Sequence, residues 1–389
     1  MSLQNSLDGL ENWIINEKLK GYDPYDGLRS SKIKSIIKGN HLMELCTQYF
    51  FKKSPFNLRS LFHIKKGYNP KSLGLLLSSF ANLYTLDNKK KYLDECERII
   101  KILIVLRSDY NNVCWGYNFD WAGRNFHLPK KSPSVVVTST IVRGLHKYYQ
   151  ITGKKSIVPI IRSCCDFITD DLLRTENNSD EICFSYTPYI KNKVHNANLF
   201  AAETLIRYYS ITKEEKYKIL SEKAYDYTVR RQEPDGSWAY SIGNNGKRNQ
   251  IDWHQGFVLD SIHEYLVHVK DKPEYSRALI KGVEYYRKKQ FFDEGTCYWR
   301  YPRFWPIDIH NQSQGIVTFT KLSQYEPRYL DFAEIIASWT INNMQSKSGY
   351  FYYQKWPLFK NKIPYMRWSQ SWMLYALTEL QCKKLNPNS

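Results

Sequence analysis

The chain has 389 residues, 42% hydrophobic and 15% aromatic, so it can bury a sizeable core and is not globally disordered. Its net charge of +18, from 56 basic and 38 acidic side chains, favours polyanionic partners or an anionic membrane face. No apolar run reaches the roughly 18 residues of a membrane span, and the eight cysteines show no CxxC or other zinc spacing, so reduced, mostly buried thiols are expected.

Residues 1–28 lack the basic start and apolar run of a signal peptide, which predicts a cytoplasmic protein. Within them, "GYDPYDGL" sets Tyr22, Asp23, Tyr25 and Asp26 in a Pro-punctuated turn. A wet helix is expected near 40–52. From there, helices with one polar face alternate with helices that are apolar on most sides. The apolar ones begin near Pro70, Pro133, His195, Asp252, Asp308 and Arg367, at gaps of 63, 62, 57, 56 and 59 residues. The wet ones fall near 88–107, 155–172, 213–231, 272–290 and 327–345. Gly-aromatic segments precede several apolar helices ("DGSWAYSI", "GTCYWRYP", "SGYFYYQK") and read as short hairpins or extended loops.

Six helical hairpins of steady period, without clear polar capping repeats, predict a closed ring rather than an open solenoid. The expected fold is all-α: an (α/α)6 barrel, or toroid, with β-hairpin-like loops at one mouth and residues 1–389 forming a single domain. Six apolar helices running the same way gather their N-termini at that mouth, and residues there share one cleft. Exposed N–H groups and helix dipoles favour anions at this end.

Two segments carry the same tetrad, Ile251-Asp252-Trp253-His254 and Ile307-Asp308-Ile309-His310. Each Asp suits an N-cap; neither cap nor burial requires a His two residues later, twice. His254 and His310 are therefore the expected proton movers, with Asp252, Asp308 and Tyr301 beside them. His195, Asn198, Arg367 and Trp368 occupy equivalent helix starts. Trp115, Tyr117, Asp120, Arg300, Arg303 and Trp305 lie in the preceding loops. With Tyr22, Asp23, Asp26 and Trp253 they are expected to bind substrate, since aromatic faces stack on sugars and polar groups take their hydroxyls. An i,i+2 Asp-His spacing on a helix splits the side chains between faces, so no metal is expected. No Walker loop, GxGxxG, Gly-x-Ser-x-Gly or nucleic-acid module occurs, so neither cofactor nor nucleic acid is expected.

The alternating hairpins, with "QIDWHQGFVLDSIHEY" and "YPRFWPIDIHNQSQGI", resemble the six-hairpin toroid proteins of carbohydrate metabolism, particularly a bacterial group associated with surface-polysaccharide biosynthesis. "FFDEGTCYWRYPRFWPIDIHNQSQGI" is similar to the C-terminal helical domain of glucuronyl C5-epimerases, whose β-rich N-terminal part is missing here. "RRQEPDGSWAY" contains the Gln-x-x-x-Gly-x-Trp pattern of terpene cyclases, but no Asp-x-Asp-Asp motif accompanies it. Gln232 and Trp238 are therefore expected to pack a hairpin.

Three functions follow. The first is epimerisation or elimination at C5 of a uronic-acid unit. His254 or His310 and Tyr301 would move the proton, and Arg300, Arg303 or Arg367 would hold the carboxylate. Its partner would be an acidic oligosaccharide or polysaccharide intermediate, and peripheral contact with the inner membrane surface fits the same charge. The second is an inverting glycoside hydrolase, for which Asp252 and Asp308 are the natural carboxylate pair, with Asp23, Asp26, Asp120 and Glu203 in reserve. The third is a non-catalytic glycan-binding or scaffold toroid.

Overall fold

A computed structural model describes residues 2–123, 126–243, 246–269 and 272–386. Six helices form its inner ring: α4 (Pro70–Asp87), α6 (Val135–Thr152), α8 (His195–Thr212), α10 (His254–His268), α12 (Ile309–Leu322) and α14 (Ser371–Leu385). Each packs on the next, and α14 packs back on α4, so the ring closes. Ser72 and Ser371 hydroxyls meet at 2.6 Å across that seam, and Asn82 donates to Glu379 at 2.7 Å. Burial on nearly every face explains the sequence of these helices: α8 buries every residue from His195 to Tyr208.

Outside lie α5 (Lys90–Leu106), α7 (Val158–Asp166), α9 (Glu215–Val229), α11 (Pro273–Tyr285) and α13 (Arg328–Met344). Each buries one stripe; α5 turns Tyr92, Cys96, Ile99, Ile100 and Leu103 inward. These match the expected wet helices. The sixth outer position is a correction. It belongs to α1 (Leu3–Asn16), which packs on α13 and α14 through Leu7, Leu10 and Ile14. The helix expected near 40–52 exists as α3 (His41–Lys53), but it is not part of the outer wall. With the short α2 (Ser31–Ile37) it forms a cap around Leu28, Ile33, Ile37, Phe51 and Ile64, apart from the main core.

The Gly-aromatic segments turn back under the ring. Gly236, Gly295 and Gly349 share φ near +95° (+97°, +93°, +93°), the left-handed region that favours glycine. A Cβ on them would strike Lys281 O, Ile335 O and Gly9 O at 2.5, 2.9 and 2.2 Å, on the neighbouring outer helices. Gln232 bonds Gly236 O and Ala278 O, and Trp238 is buried with Nε1 on Thr228 O, so both pack a hairpin as expected.

Short antiparallel strands rim the mouth. Hairpin β1 (Trp121–Gly123) and β2 (Phe126–Leu128) is followed by β3 (Arg174–Asn177) with β4 (Ile182–Phe184). Two three-stranded sheets complete the rim. The first joins β5 (Lys193–Val194), β6 (Ser241–Gly243) and β7 (Gly246–Arg248); the second joins β8 (Ile307–Asp308), β9 (Gln354–Lys355) and β10 (Lys360–Asn361). No disulfide links the eight cysteines, six of which are buried. Among the described residues, no helix is long and apolar enough to cross a membrane.

Candidate active site

The inner helices all present their N-termini to one cavity of about 220 Å³. A single geometric rule fills its floor. The second residue of α4, α6, α8 and α12 lines it: Lys71, Val136, Asn196 and His310. His254, at the start of α10, and Arg367, in the turn leading to α14, complete the six. The paired tetrad is two turns of this ring.

His254 is held by Asp252. The buried Asp252 carboxylate accepts His254 Nδ1–H at 2.5 Å and the His254 backbone N–H at 3.1 Å. Gln250 donates to its other oxygen at 2.6 Å. This fixes the imidazole with Nε2 unpartnered among the described residues and on the cavity wall, as an aspartate orients a catalytic histidine. His310 sits deeper, its ring 4.7 Å from that of Trp368 and 5.1 Å from Trp253. Burial, then Lys71 and Arg367, hold its pKa well below the ordinary histidine value, so it is neutral. Its Nδ1 lies 3.4 Å from Trp368 O.

Cations surround this pair. Arg367 is buried and clamped bidentately by Asp23, at 2.5 and 2.8 Å. Arg300 Nε stands 3.5 Å from Asp252 and makes no hydrogen bond among the described residues. Lys52 donates to Tyr25 OH at 2.5 Å. Arg248 lies over the Tyr240 ring. The Lys71 ammonium has neither hydrogen bond nor ion pair among the described residues; its backbone N–H donates to Asn69 Oδ1 at 3.1 Å. Its Nζ is 5.6 Å from the centroids of both Phe257 and Trp372. Burial, then the like charges of Arg367 and Arg143, push its pKa well below the usual lysine value. Asn196 Oδ1 is buried on the same wall without a partner among the described residues, an acceptor open to a hydroxyl. Tyr117, Trp121, Tyr186 and Trp253 supply aromatic faces. No carboxylate lines the cavity among the described residues.

Of the expected substrate contacts, Tyr117, Trp253, Arg300, Arg367 and Trp368 lie on this wall; Asp23 stands behind Arg367. The others do not. Asp26 is buried against Arg59 at 2.6 Å, and burial raises its pKa to about 6. Tyr22 turns to Ser60 and Arg59. Trp115 is a core residue whose Nε1 caps Leu103 O. Asp120 binds Lys34 and the Lys130 N–H. His195 is packed on Tyr227, and burial lowers its pKa to about 3. Asn198 bridges Phe184 N and Ala224 O. Arg303 is exposed, and Trp305 packs on Phe304 outside the cavity. Tyr301 sits on the rim, bonded through its N–H to Ile251 O and packed edge-on against Tyr298.

The Asp252–Asp308 pair fails as a hydrolytic couple on geometry. Asp308 caps α12 at 3.0 Å and also accepts Trp368 Nε1 at 2.9 Å and Gln354 at 2.7 Å. Neither carboxylate reaches the cavity. Glu203 is buried between Arg143 and Arg207 at the opposite end of the barrel. A cavity of about 290 Å³ opens there, but Glu203 and Glu264 already engage its arginines. Helix C-termini face it, which disfavours anions. Among the described residues, no group of three or more His, Cys, Asp or Glu side chains could hold a metal ion.

Lys71, Lys52, Asn196 and Arg248 were not singled out in the sequence. Lys71 had a usable signal: it follows Pro70 at an inner-helix start, where His310 follows Ile309.

No protein-family model and no curated protein matches the chain. Solved structures match its fold. Cellobiose 2-epimerase from Bacillus thermoamylovorans B4167 is 14% identical with TM-score 0.66, over 82% of this chain and 88% of that one. The GH76 α-mannanase BT2949 of Bacteroides thetaiotaomicron is 13% identical with TM-score 0.63, over 82% and 87%. A D-mannose isomerase is 14% identical with TM-score 0.60, over 80% and 87%. The shared feature is the (α/α)6 toroid.

Proposed function

We propose that the chain is a carbohydrate-active enzyme that removes a carbon-bound proton from an anionic sugar and then either reprotonates that carbon, in epimerisation, or protonates the leaving oxygen, in elimination. Epimerisation or elimination at C5 of a uronic-acid unit is the leading reaction. One observation carries the reading: the cavity wall holds two imidazoles and five cations, and no carboxylate among the described residues. Glycoside hydrolysis with paired acids needs two carboxyl groups at the substrate. Proton abstraction beside a carboxylate or carbonyl needs a base, an acid and positive charge against the developing enolate.

His254 Nε2, oriented by Asp252, is the base. His310, neutral at rest on the neighbouring inner helix, takes a proton from solvent and delivers it to carbon from another side of the bound ring, while His254 releases the abstracted proton to solvent or, in elimination, to the leaving oxygen. Arg300 and Lys71 face the substrate carboxylate, and Arg367, partly neutralised by Asp23, supports them. Tyr117, Trp253 and Trp368 bear on the sugar faces, and Asn196 takes a hydroxyl. The fold neighbours include epimerases and an isomerase by name, and proton transfer beside a carbonyl would use the same parts. Surface-polysaccharide biosynthesis would supply such acidic units.

Product NMR tests this. Uronate-containing oligosaccharides and reducing sugars are incubated with the protein. New C5-epimer signals or an unsaturated terminal residue are expected; new reducing ends without either, or no change across the panel, would overturn the proposal.

A further inference from the structure

Helix α3 turns an apolar stripe to solvent. Its inward face carries the buried Glu44, Gln48 and Phe51. Its outward face carries Leu42, Met43, Cys46, Tyr49 and Phe50, at the spacing of one helical side. Leu42 is 68% exposed, Tyr49 65% and Phe50 50%. A helix whose outer face met only water would carry polar residues there. The stripe extends to Phe56 and Leu61, also exposed. The β9–β10 loop adjoins it: Asn361 Nδ2 donates to Ser54 O, just past α3, at 3.1 Å. That loop presents Leu358, 97% exposed, and Phe359.

The surroundings are strongly basic. Residues 31–68 hold eight Lys and Arg against one acid, Glu44, which is buried against His127 at 2.8 Å. Residues 355–362 hold three lysines and no acid. Asp120 and Glu17 engage Lys34 and Lys66. Lys32, Lys38, Lys53, Lys65 and Lys362 are exposed around the stripe.

We propose that α3 and the β9–β10 loop are a docking surface for an anionic phospholipid bilayer. Helix α3 would lie in the headgroup plane, its apolar stripe inserted and the lysines paired with lipid phosphates. Two copies of this surface facing each other would oppose like charges, which disfavours self-association there. The surface is independent of the chemistry proposed for the cavity. Lys52, also on α3, lines the cavity. Docking therefore places the mouth about one helix diameter, ~10 Å, from the headgroups, where a membrane-borne sugar would reach it.

Co-sedimentation of the full chain with vesicles tests the proposal, using phosphatidylcholine alone and phosphatidylcholine mixed with phosphatidylglycerol. Binding to the anionic vesicles should exceed that to neutral ones by about tenfold or more and fall when salt rises from about 0.1 M to about 0.5 M. Tyr49→Ser/Phe50→Ser/Leu358→Ser should lower it about tenfold with an unchanged melting temperature, and Lys53→Glu/Lys65→Glu/Lys362→Glu should lower it comparably. Four results would overturn the proposal. These are no binding, equal binding to both vesicles, wild-type binding by either variant, and a dimer in sedimentation equilibrium that the apolar variant dissolves.

Discussion

Lys71 carries a local conflict between burial and charge. A buried ammonium between Phe257 and Trp372, with no carboxylate on it among the described residues, destabilises the fold. Its folded-state pKa lies below the unfolded value near 10.5, so the unfolded chain binds the extra proton. Stability therefore rises with pH from the depressed value up to about 10.5. Lys71→Met should raise stability at pH 7 by about 1–3 kcal/mol, with a gain that shrinks as pH climbs toward 10.5. The same variant should lose turnover by at least about tenfold. A lower melting temperature at pH 7, or full activity, contradicts this account of the residue. Lys71 was legible as a position but not as a chemistry. Among 56 basic residues, nothing in sequence separates one buried lysine from the solvated rest.

The elements were read more easily than their ends. The alternation of wet and apolar helices reflects burial, which periodicity reports directly, so the ring and five of its outer helices were visible. The first outer helix was misplaced because α1 and α3 are both amphipathic, and only packing on α13 and α14 distinguishes them. At α8 the sequence marks His195 and Asn198 as candidates, but the second residue, Asn196, faces the cavity. A shift of one residue at a helix start rotates the side chain by about 100°. The Gly-aromatic turns make a testable element. Gly349→Ala should cost about 2–3 kcal/mol in urea unfolding, combining positive φ with a Cβ 2.2 Å from Gly9 O. Gly153→Ala, at φ +65° with nothing within 4 Å, should cost only about 1 kcal/mol. Equal losses would show that the approach of α1 to this turn is not tight.

At the scale of the whole molecule, the barrel buries histidines in neutral form. Burial lowers His146, His195 and His263 to about 3, and His310 is held low as well. Between pH 6.5 and 3 the unfolded chain takes protons that the folded one refuses. Stability is thus lost on acidification below about 6.5, by up to about 1.4 kcal/mol per pH unit for each histidine. Asp26, raised to about 6, works the other way between about 6 and 3.8, as do Asp260 and Asp308, which burial also raises, but Glu203 and Glu264 are held low and add to the loss from the four histidines. The urea midpoint should fall steadily from pH 6.5 to 4.5; a flat profile would mean these histidines are already protonated in the fold. The closed ring and its rim meet in the proposed chemistry, in which the Asp252-held His254 and neutral His310 would move a substrate carbon-bound proton. Turnover in D₂O reads that step most directly. Wild-type protein should place deuterium at C5 of an epimerised product, or form a C4–C5 double bond, without hydrolysing a glycosidic bond, and His254→Ala should abolish either outcome. Product that forms with neither carbon-bound deuterium nor a C4–C5 double bond, or turnover unaffected by His254→Ala, contradicts it.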